Sequence, residues 1–284
     1  MRILLMPNFI KPRTWELLGE LCRRMGALGL QAAAVRKDRE AMEALGIGPV
    51  AGDWESPEEA APFCDLLLSI GGDGTVIHSA CCAAQAGKPV VGVNLGRLGF
   101  LAEIEPGELE RYLLRLRDGQ FNREKRFAIQ SRFSQEGQSL PFALNDIVFT
   151  KAPEQNLADF EIFCNGKLID HYCADGVIFS TPTGSTAYAL SAGGPVMDPA
   201  LGAILMVPIC PHSIAIRPMV FGGDKTITLR SGGSLQAVAD GARRVQMAPG
   251  VTAAIGRSPL EPEFVTFGEN EFFEILTAKI KQRG

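Results

Sequence analysis

Metal-binding and disulfide patterns are missing from this sequence. Its three histidines, His78, His171 and His212, do not have the spacing of a local zinc site. Its seven cysteines are scattered, odd in number and without a Cys-x-x-Cys pair, which is typical of reduced thiols in a cytoplasmic protein. We therefore expect a cytoplasmic location, no disulfide framework and no structural metal.

Long apolar runs and excess positive charge are missing as well. No apolar segment approaches the roughly 20 residues that a membrane-spanning helix needs. The first residues, MRILLMPNF, form an apolar run too short for a signal peptide, and we interpret them as a first strand. Because the formal net charge is −4 at pH 7, a general nucleic-acid-binding protein is not indicated. Neither a membrane nor a nucleic acid is expected as a partner.

The apolar residues that are present follow two different patterns. Over residues 1–121, strands alternate with helices, which predicts an α/β domain with a parallel, Rossmann-like sheet. Over 122–267 the apolar runs are short and rich in β-forming residues, and Asn165-Gly166 indicates a type I′ hairpin between two of them. We expect an all-β sandwich there, followed by a C-terminal helix within 268–284 that returns to the first domain.

A glycine-rich loop follows the predicted buried strand Leu66–Ile70 and precedes the predicted helix Val76–Gln85. Its residues are Gly71, Gly72, Asp73, Gly74 and Thr75. Glycines let a ligand approach the backbone, and amides at a helix N-terminus attract anions. A carboxylate that faces phosphate is repelled unless it binds a metal or accepts a proton, so Asp73 indicates phosphoryl transfer. The alternative is an ordinary turn in which Asp73 or Thr75 only caps the helix.

The loop differs from the two common nucleotide-binding motifs. No Gly-Lys-Ser/Thr sequence follows it, so it is not a P-loop and supplies no lysine to phosphates. It also does not match the Gly-x-Gly-x-x-Gly pattern of dinucleotide-binding domains. The rest of the chain must therefore decide between a phosphate site and a turn.

Polar residues interrupt the β-rich half at three places. Asn145-Asp146 lies inside an apolar stretch, and an amide beside a carboxylate is able to hold the vicinal hydroxyls of a ribose; the alternative is a β-bulge or a turn. Residues 180–194 are dense in hydroxyls and small side chains, with Tyr188 placed to stack on a base, although solvated loops have a similar composition. Asp175-Gly176 adds a carboxylate, and a plain turn explains it equally well.

In this order, the motifs resemble those of the NAD kinase family, ATP-dependent enzymes that phosphorylate NAD to NADP. Five segments carry the resemblance: GGDGT at 71–75, VNLGRLGFL at 93–101, Leu144-Asn145-Asp146, residues 175–194, and FFEIL at 272–276. Phosphofructokinases and lipid kinases share the glycine motif, whereas residues 96–101 and 181–188 are more particular to NAD kinases.

The resemblance implies a role for each matching residue. Asp73 would be the general base that takes the proton from the 2′-hydroxyl of the adenosine ribose of NAD. The phosphate loop would be Gly71, Gly72, Gly74 and Thr75. The substrate-binding residues would be Gly74, His78, Phe100, Asn145, Asp146, Asp175, Thr183, Thr186, Ala187, Tyr188 and Ser191. For His78, a plain position on the helix surface is the alternative.

The resemblance also implies partners. The co-substrate would be ATP, with inorganic polyphosphate open as another phosphoryl donor, and the cofactor would be Mg²⁺ or another divalent metal. No residue is assigned as a direct metal ligand. The assembly would be a homodimer or a homotetramer formed through the β domains.

Two positions depart from the family pattern. Many members have arginine at the position of Cys173, and many have Asp-Gly-Gln where this chain has Asp240-Gly241-Ala242. An arginine supplies a bidentate contact to phosphate or carboxylate, and a glutamine supplies an amide donor. The preference between NAD and NADH therefore stays open.

Two other functions share features of this sequence. A lipid kinase uses the same glycine loop, but its basic or amphipathic membrane-contacting surface is not indicated by a net negative charge. An NAD(P)-sensing module would keep the nucleotide pocket and lose catalysis, yet Asp73 and Asn145 are both intact. An NAD kinase is the favoured interpretation.

Overall fold

The computed structural model describes residues 1–96, 99–269 and 272–283. The chain divides into two compact units, unit 1 (Met1–Lys125 with Pro262–Gly284) and unit 2 (Arg126–Glu261). In the part of the chain that the structure describes, no helix combines the length and apolar character needed to cross a bilayer.

The strands, in chain order, are β1 (Arg2–Pro7), β2 (Gln31–Ala33), β3 (Leu66–Gly71), β4 (Pro89–Asn94), β5 (Asn122–Lys125), β6 (Ile129–Phe133), β7 (Ser139–Ala143), β8 (Asp146–Lys151), β9 (Ala158–Cys164), β10 (Lys167–Ala174), β11 (Gly176–Ser180), β12 (Ala203–Ile209), β13 (Met219–Gly222), β14 (Ile227–Arg230), β15 (Leu235–Ala239), β16 (Arg243–Met247), β17 (Thr252–Arg257) and β18 (Glu263–Thr266).

The α-helices, in chain order, are α1 (Arg13–Ala27), α2 (Arg36–Glu43), α3 (Pro57–Ala60), α4 (Asp73–Ala86), α5 (Leu109–Arg117), α6 (Tyr188–Ser191) and α7 (Phe272–Arg283). Short 3₁₀ helices cover Ala61–Phe63, Pro106–Glu108 and Thr183–Thr186.

Unit 1 is an α/β domain, as predicted, but its sheet is mixed rather than wholly parallel. The strand order is β2-β1-β3-β4-β18-β5. Strands β1 to β4 and β18 run parallel, while β5 lies at the edge, antiparallel to β18. Unit 2, as the structure has it, lies inside the β-rich range 122–267, and the strands on either side of it join the sheet of unit 1. Lys125 of β5 and Glu263 of β18, which flank unit 2 in the sequence, are paired residues of that sheet.

The apolar pattern of unit 1 explains its core. Strands β3 and β4 are buried at every position, as expected for central strands of a covered sheet. Helix α1 buries Leu17, Leu18, Leu21 and Met25, which recur at helical spacing and pack in the same cluster as Leu68 of β3. Helix α7 belongs to unit 1, so the predicted return of the C-terminal helix is confirmed.

Unit 2 is an all-β sandwich, as predicted. It contains two antiparallel sheets, with the orders β10-β9-β14-β17-β6-β7 and β13-β12-β11-β8-β15-β16. Side chains from both sheets, including Phe149, Phe160 and Phe179, form one buried cluster. Asn165 and Gly166 have φ values of 48° and 79° between β9 and β10, which confirms the predicted type I′ turn.

Candidate active site

The glycine loop lies at the carboxyl edge of the unit 1 sheet, where open α/β sheets bind ligands. Gly71 ends β3, Gly72 precedes the helix in extended conformation, and α4 begins at Asp73 rather than at Val76. A Cβ on Gly71 would overlap the Thr75 side chain. The turn from β3 into α4 therefore requires glycine at that position.

The Asp73 carboxylate is held by the segment that follows β4. The backbone N–H of Phe100 donates to Asp73 Oδ2 at 3.1 Å, and that of Leu101 donates to Oδ1 at 3.4 Å. A Cβ on Gly99 would overlap the same carboxylate. These contacts fix the direction of the Asp73 side chain, which is still 35% exposed.

Helix α7 contributes a cation beside this carboxylate. Lys279 Nζ lies 3.9 Å from Asp73 Oδ2 and 3.7 Å from the centroid of the Phe100 ring. Phe272, at the start of α7, packs on the same ring with 5.7 Å between centroids. Phe100, expected near a bound nucleotide, therefore contacts α7 in this structure.

Two residues of the segment after β1 also lie at the glycine loop and were not predicted from the sequence. Asn8 Nδ2 donates to Thr75 Oγ1 at 3.2 Å, and Lys11 Nζ lies beside Gly72 and Gly96. Since the carboxyl ends of parallel strands meet at one edge of a sheet, polar residues directly after a predicted first strand were a usable signal. Lys279 gave no comparable signal, because it is far from the loop in sequence.

The predicted residue His78 lies on α4 and is exposed. It follows Asp73 by a little more than one helical turn. This position neither supports nor excludes a contact between His78 and a substrate, so the role of His78 stays a prediction.

In unit 2, Leu144 and Asn145 form a bend that leads into β8, and Asp146 is the first residue of that strand. The carboxylate of Asp240 holds this bend by accepting three backbone N–H groups. The donors are Leu144 and Asn145, each at 2.8 Å, and Asp146, at 3.1 Å. The backbone N–H groups of residues 144–146 are thus all hydrogen-bonded to one carboxylate.

Two carboxylic acids lie together at this bend, the buried Asp146 and the half-buried Asp240. Burial and, to a smaller extent, the nearby charge of Asp240 together raise the pKa of Asp146 to about 7. Burial also raises the pKa of Asp240, while its three N–H donors oppose that rise. Since N–H donors favour the ionised form, we place the shared negative charge on Asp240 and the proton on Asp146.

The hydroxyl-rich segment packs against the same bend. Ser180 Oγ donates to the Asn145 carbonyl at 3.1 Å, Thr181 Oγ1 donates to the Leu144 carbonyl, and a Cβ on Gly184 would overlap the Asn145 backbone. The Thr183 hydroxyl is buried and has no hydrogen-bond partner among the described residues. Several of these hydroxyls are therefore structural, whereas that of Thr183 is buried without a partner in the described part of the chain.

A cavity of about 440 Å³ brings several predicted residues together. Its lining includes Asn145, Asp146, Ala187, Tyr188, Asp240 and Arg244. Tyr188 is 45% exposed, so a large part of its side chain is accessible to a ligand.

The other predicted residues of unit 2 have different surroundings. Thr186 Oγ1 donates to the Thr183 carbonyl at 3.4 Å, and Ser191 is exposed at the end of α6. Asp175 forms an ion pair with Lys151 at 2.8 Å, and the hydrogen bond from Lys151 lowers the pKa of Asp175.

No group of three or more His, Cys, Asp or Glu side chains is placed to hold a metal ion within residues 1–96, 99–269 and 272–279. A dedicated metal cage made of such side chains is therefore not built into the described part of the chain. Magnesium ions in phosphoryl-transfer sites are commonly held by substrate phosphates, waters and one or two carboxylates, which needs no such cage.

Comparison with known proteins finds a matching family model for each half of the chain. The family model for the ATP-NAD kinase N-terminal domain matches residues 30–121, and that for the ATP-NAD kinase C-terminal domain matches residues 144–267. The chain is 40% identical to the NAD kinase of Heliobacterium modesticaldum over 223 residues, which cover 77% of this chain and 79% of that protein. It is 37% identical to the NAD kinase of Symbiobacterium thermophilum over 241 residues, 81% of this chain and 85% of that protein.

Two solved structures have a similar fold. Yeast NADH kinase, complexed with NADH, superposes with a TM-score of 0.88 over 99% of this chain and 87% of its own, at 23% identity, so this likeness concerns the fold alone. An NAD kinase from Archaeoglobus fulgidus in complex with ATP gives a TM-score of 0.71 at 27% identity, over 89% of this chain and 100% of its own.

Proposed function

Since this chain belongs to the NAD kinase family, we propose that Asp73 is the general base of its reaction. The protein is an ATP-dependent NAD kinase, and in the proposed reaction the γ-phosphoryl group of ATP is transferred to the 2′-hydroxyl of the adenosine ribose of NAD. The observation that carries this proposal is the Asp73 carboxylate, oriented by two backbone N–H groups beside the glycine loop.

The proposed base would make the ribose hydroxyl of NAD a better nucleophile. A ribose hydroxyl is a weak nucleophile, and a positioned carboxylate that accepts its proton accelerates such steps by typically 10²–10⁴-fold. Each Asp73 oxygen accepts one backbone N–H and keeps further lone pairs for the hydroxyl proton. The O–H bond breaks as the new O–P bond forms, and ADP leaves with the electron pair of the former O–P bond.

The glycine loop is proposed to hold the phosphates of ATP. Gly71, Gly72, Gly74 and Thr75 surround the first turn of α4, whose unpaired amides and dipole favour an anion. Phosphoryl transfer depends mainly on such positioning and on charge neutralisation. No Cβ at Gly74 would meet a neighbouring atom, so the backbone there is open to a ligand.

Unit 2 is proposed to bind NAD. Asn145 and the neutral carboxyl group of Asp146 are able to donate to and accept from ribose hydroxyls, and Ala187 and Tyr188 line the same cavity. The unpartnered hydroxyl of Thr183 supports a polar contact with the substrate. The remaining contacts implied by the family come from His78, Phe100, Asp175, Thr186 and Ser191.

A divalent metal such as Mg²⁺ fits this site through the phosphates of ATP rather than through a set of protein ligands. When bound, it neutralises the charge of the phosphates. We assign no side chain as a ligand of this metal, because in the proposed reaction the Asp73 carboxylate accepts the proton of the ribose hydroxyl. We also propose that the protein works in the cytoplasm, as its scattered cysteines indicate. Its proposed assembly is the homodimer or homotetramer that the family resemblance implies.

The test of the proposed base is Asp73→Asn, measured by NADP formation from NAD, ATP and Mg²⁺. The amide keeps the size of the side chain but accepts no proton, so we expect kcat to fall by at least about 10²-fold with an unchanged thermal midpoint. Asp118→Asn, an exposed change after α5 in the same unit, is the matched control and should leave kcat unchanged. Retention of more than about a tenth of the wild-type rate, well above what that acid–base range allows, would exclude Asp73 as the base.

A further inference from the structure

The glycine loop contains no lysine, but the fold brings one to it. We propose that Lys11 binds the phosphate chain of the phosphoryl donor and thereby takes the part that a P-loop lysine plays elsewhere. This inference rests on the proposed function of the glycine loop as the donor-phosphate site. It adds a specific cation from a segment that the family motifs quoted above do not include.

The position of Lys11 carries the inference. Its Nζ atom lies 3.2 Å from where a Cβ on Gly72 would be and 3.0 Å from where a Cβ on Gly96 would be. The ammonium group therefore lies directly over two glycines, which follow the ends of the adjacent strands β3 and β4. Side chains at those two positions would crowd it, so glycine at 72 and 96 leaves room for the cation.

The backbone around Lys11 is fixed to the same sheet edge. The Asn8 N–H donates to the Ile70 carbonyl at 2.9 Å, and the Asn8 side chain donates to Thr75 Oγ1 at 3.2 Å. Thr14, in the first turn of α1, donates its N–H to the Lys11 carbonyl at 3.0 Å and its hydroxyl to the Asn8 carbonyl at 2.6 Å. Lys11 is thus presented by a short connection that is hydrogen-bonded at both ends.

The charge of Lys11 is available for a ligand. Among residues 1–96, 99–269 and 272–279, no carboxylate lies within 4.0 Å of its ammonium group. A half-buried lysine above a loop suited to phosphate has one favourable partner class, a polyanion such as a nucleoside triphosphate. The contact is to phosphate, so it is expected for ATP and for a phosphate chain without a nucleoside alike.

The test is Lys11→Met with Lys11→Arg, assayed by NADP formation at fixed free Mg²⁺, with tripolyphosphate as an inhibitor competitive with ATP. We expect Lys11→Met to lower kcat/KM for ATP by about 10- to 100-fold, the range for losing a hydrogen bond to a charged group, and KM for NAD to stay unchanged. Tripolyphosphate inhibition should weaken by the same factor. Lys11→Arg, which keeps the charge, should recover part of the loss. Lys37→Met, an exposed change in α2, is the control.

Each result decides the inference. Unchanged kcat/KM for ATP in Lys11→Met overturns it, and so does weakened ATP use with full tripolyphosphate inhibition, which would place Lys11 on the nucleoside. Unfolding of both Lys11 variants, seen as a lowered thermal midpoint, would overturn it in favour of a structural role. If the wild-type protein forms no NADP, the proposed function fails instead, and binding of Mg-ATP to wild type and Lys11→Met, measured by calorimetry, then decides Lys11 alone.

Discussion

The Asp73 carboxylate occupies the space beside Gly99 that a side chain at residue 99 would need. The carboxylate lies where a Cβ on residue 99 would be, and the N–H of Phe100, the next residue, donates to it. The orientation of the proposed base is therefore set by the absence of a single carbon atom in a neighbouring loop.

This relation predicts the effect of Gly99→Ala. The added methyl group should turn the Asp73 carboxylate away from its two N–H donors, and a displacement of about 1 Å at a reacting group lowers rates by about 10²-fold. We expect kcat to fall by that order while the circular dichroism spectrum is unchanged. Gly107→Ala, at a glycine whose added Cβ would meet no atom, is the control. Wild-type kcat in Gly99→Ala would contradict this account.

Asp146 predicts a pH dependence of stability. Its pKa is about 7 in the folded protein, above the ordinary value of about 3.9, so the folded state holds a proton that the unfolded state loses. The associated stability is present below about pH 4 and is lost as pH rises through about 7. Asp146→Asn, which cannot ionise, should therefore be more stable than wild type at about pH 8, by up to about 4 kcal/mol, with the difference vanishing near pH 4.

The measurement for Asp146→Asn is urea unfolding across that pH range. Glu136→Gln, an exposed change in the turn between β6 and β7, is the control and should show no such trend. A stability gain for Asp146→Asn that is the same at both ends of the range would rule out titration of Asp146 as its cause.

The candidate residues differ in how far the sequence could identify them. Asp73 stands out locally, because a carboxylate between glycines after a buried strand is chemically unusual. Asp240 does not, since its role depends on the N–H groups of residues 144–146, which are far away in the sequence. Lys11 and Lys279 are ordinary lysines until folding places them at the loop.

Among the elements, those with strong local patterns were predictable. Strand β3 was expected over Leu66–Ile70 and ends one residue later, at Gly71. Helix α4 was expected from Val76 but begins at Asp73, because Asp, Gly and Thr are weak helix formers and conceal a first turn. The side chains of that turn are hydrogen-bonded to other segments, Asp73 to the Phe100 N–H and Thr75 to the Asn8 amide. The first turn that the sequence prediction left out of the helix therefore includes Asp73, the candidate base.

Other elements depend on pairing with distant strands. β18 is four residues long, and nothing in its own sequence indicates that it lies between β4 and β5. Its partner β5 has mostly exposed, charged side chains, which is how edge strands avoid further pairing. Such a strand carries almost no apolar pattern, so the sequence indicated neither its direction nor its neighbour.

At the scale of the whole molecule, unit 2 is an insertion within a hairpin of unit 1. Lys125 and Glu263 are paired residues of the antiparallel strands β5 and β18, and all of unit 2 lies between them in sequence. The two units also have separate buried clusters. Unit 1 is therefore expected to be a complete folding unit once its two segments are joined.

This arrangement predicts the outcome of removing unit 2. Replacing residues 126–262 by Asn-Gly, the preferred two-residue turn of a β-hairpin, should connect Lys125 to Glu263 and give a protein that unfolds cooperatively in urea. The comparison is residues 1–125 alone, which lack β18 and leave the buried strand β4 with an unpaired edge. Cooperative unfolding of that shorter chain, or none in the joined one, would contradict the prediction.

The same hairpin sets an order of events during synthesis. The ribosome releases β4 early, but β18, the strand that pairs with it, emerges only after every residue of unit 2 has been made. Unit 2, although second along the chain, is therefore the first to have all its strands available. Until then the nascent first unit exposes an apolar strand edge of the kind that chaperones shield from aggregation.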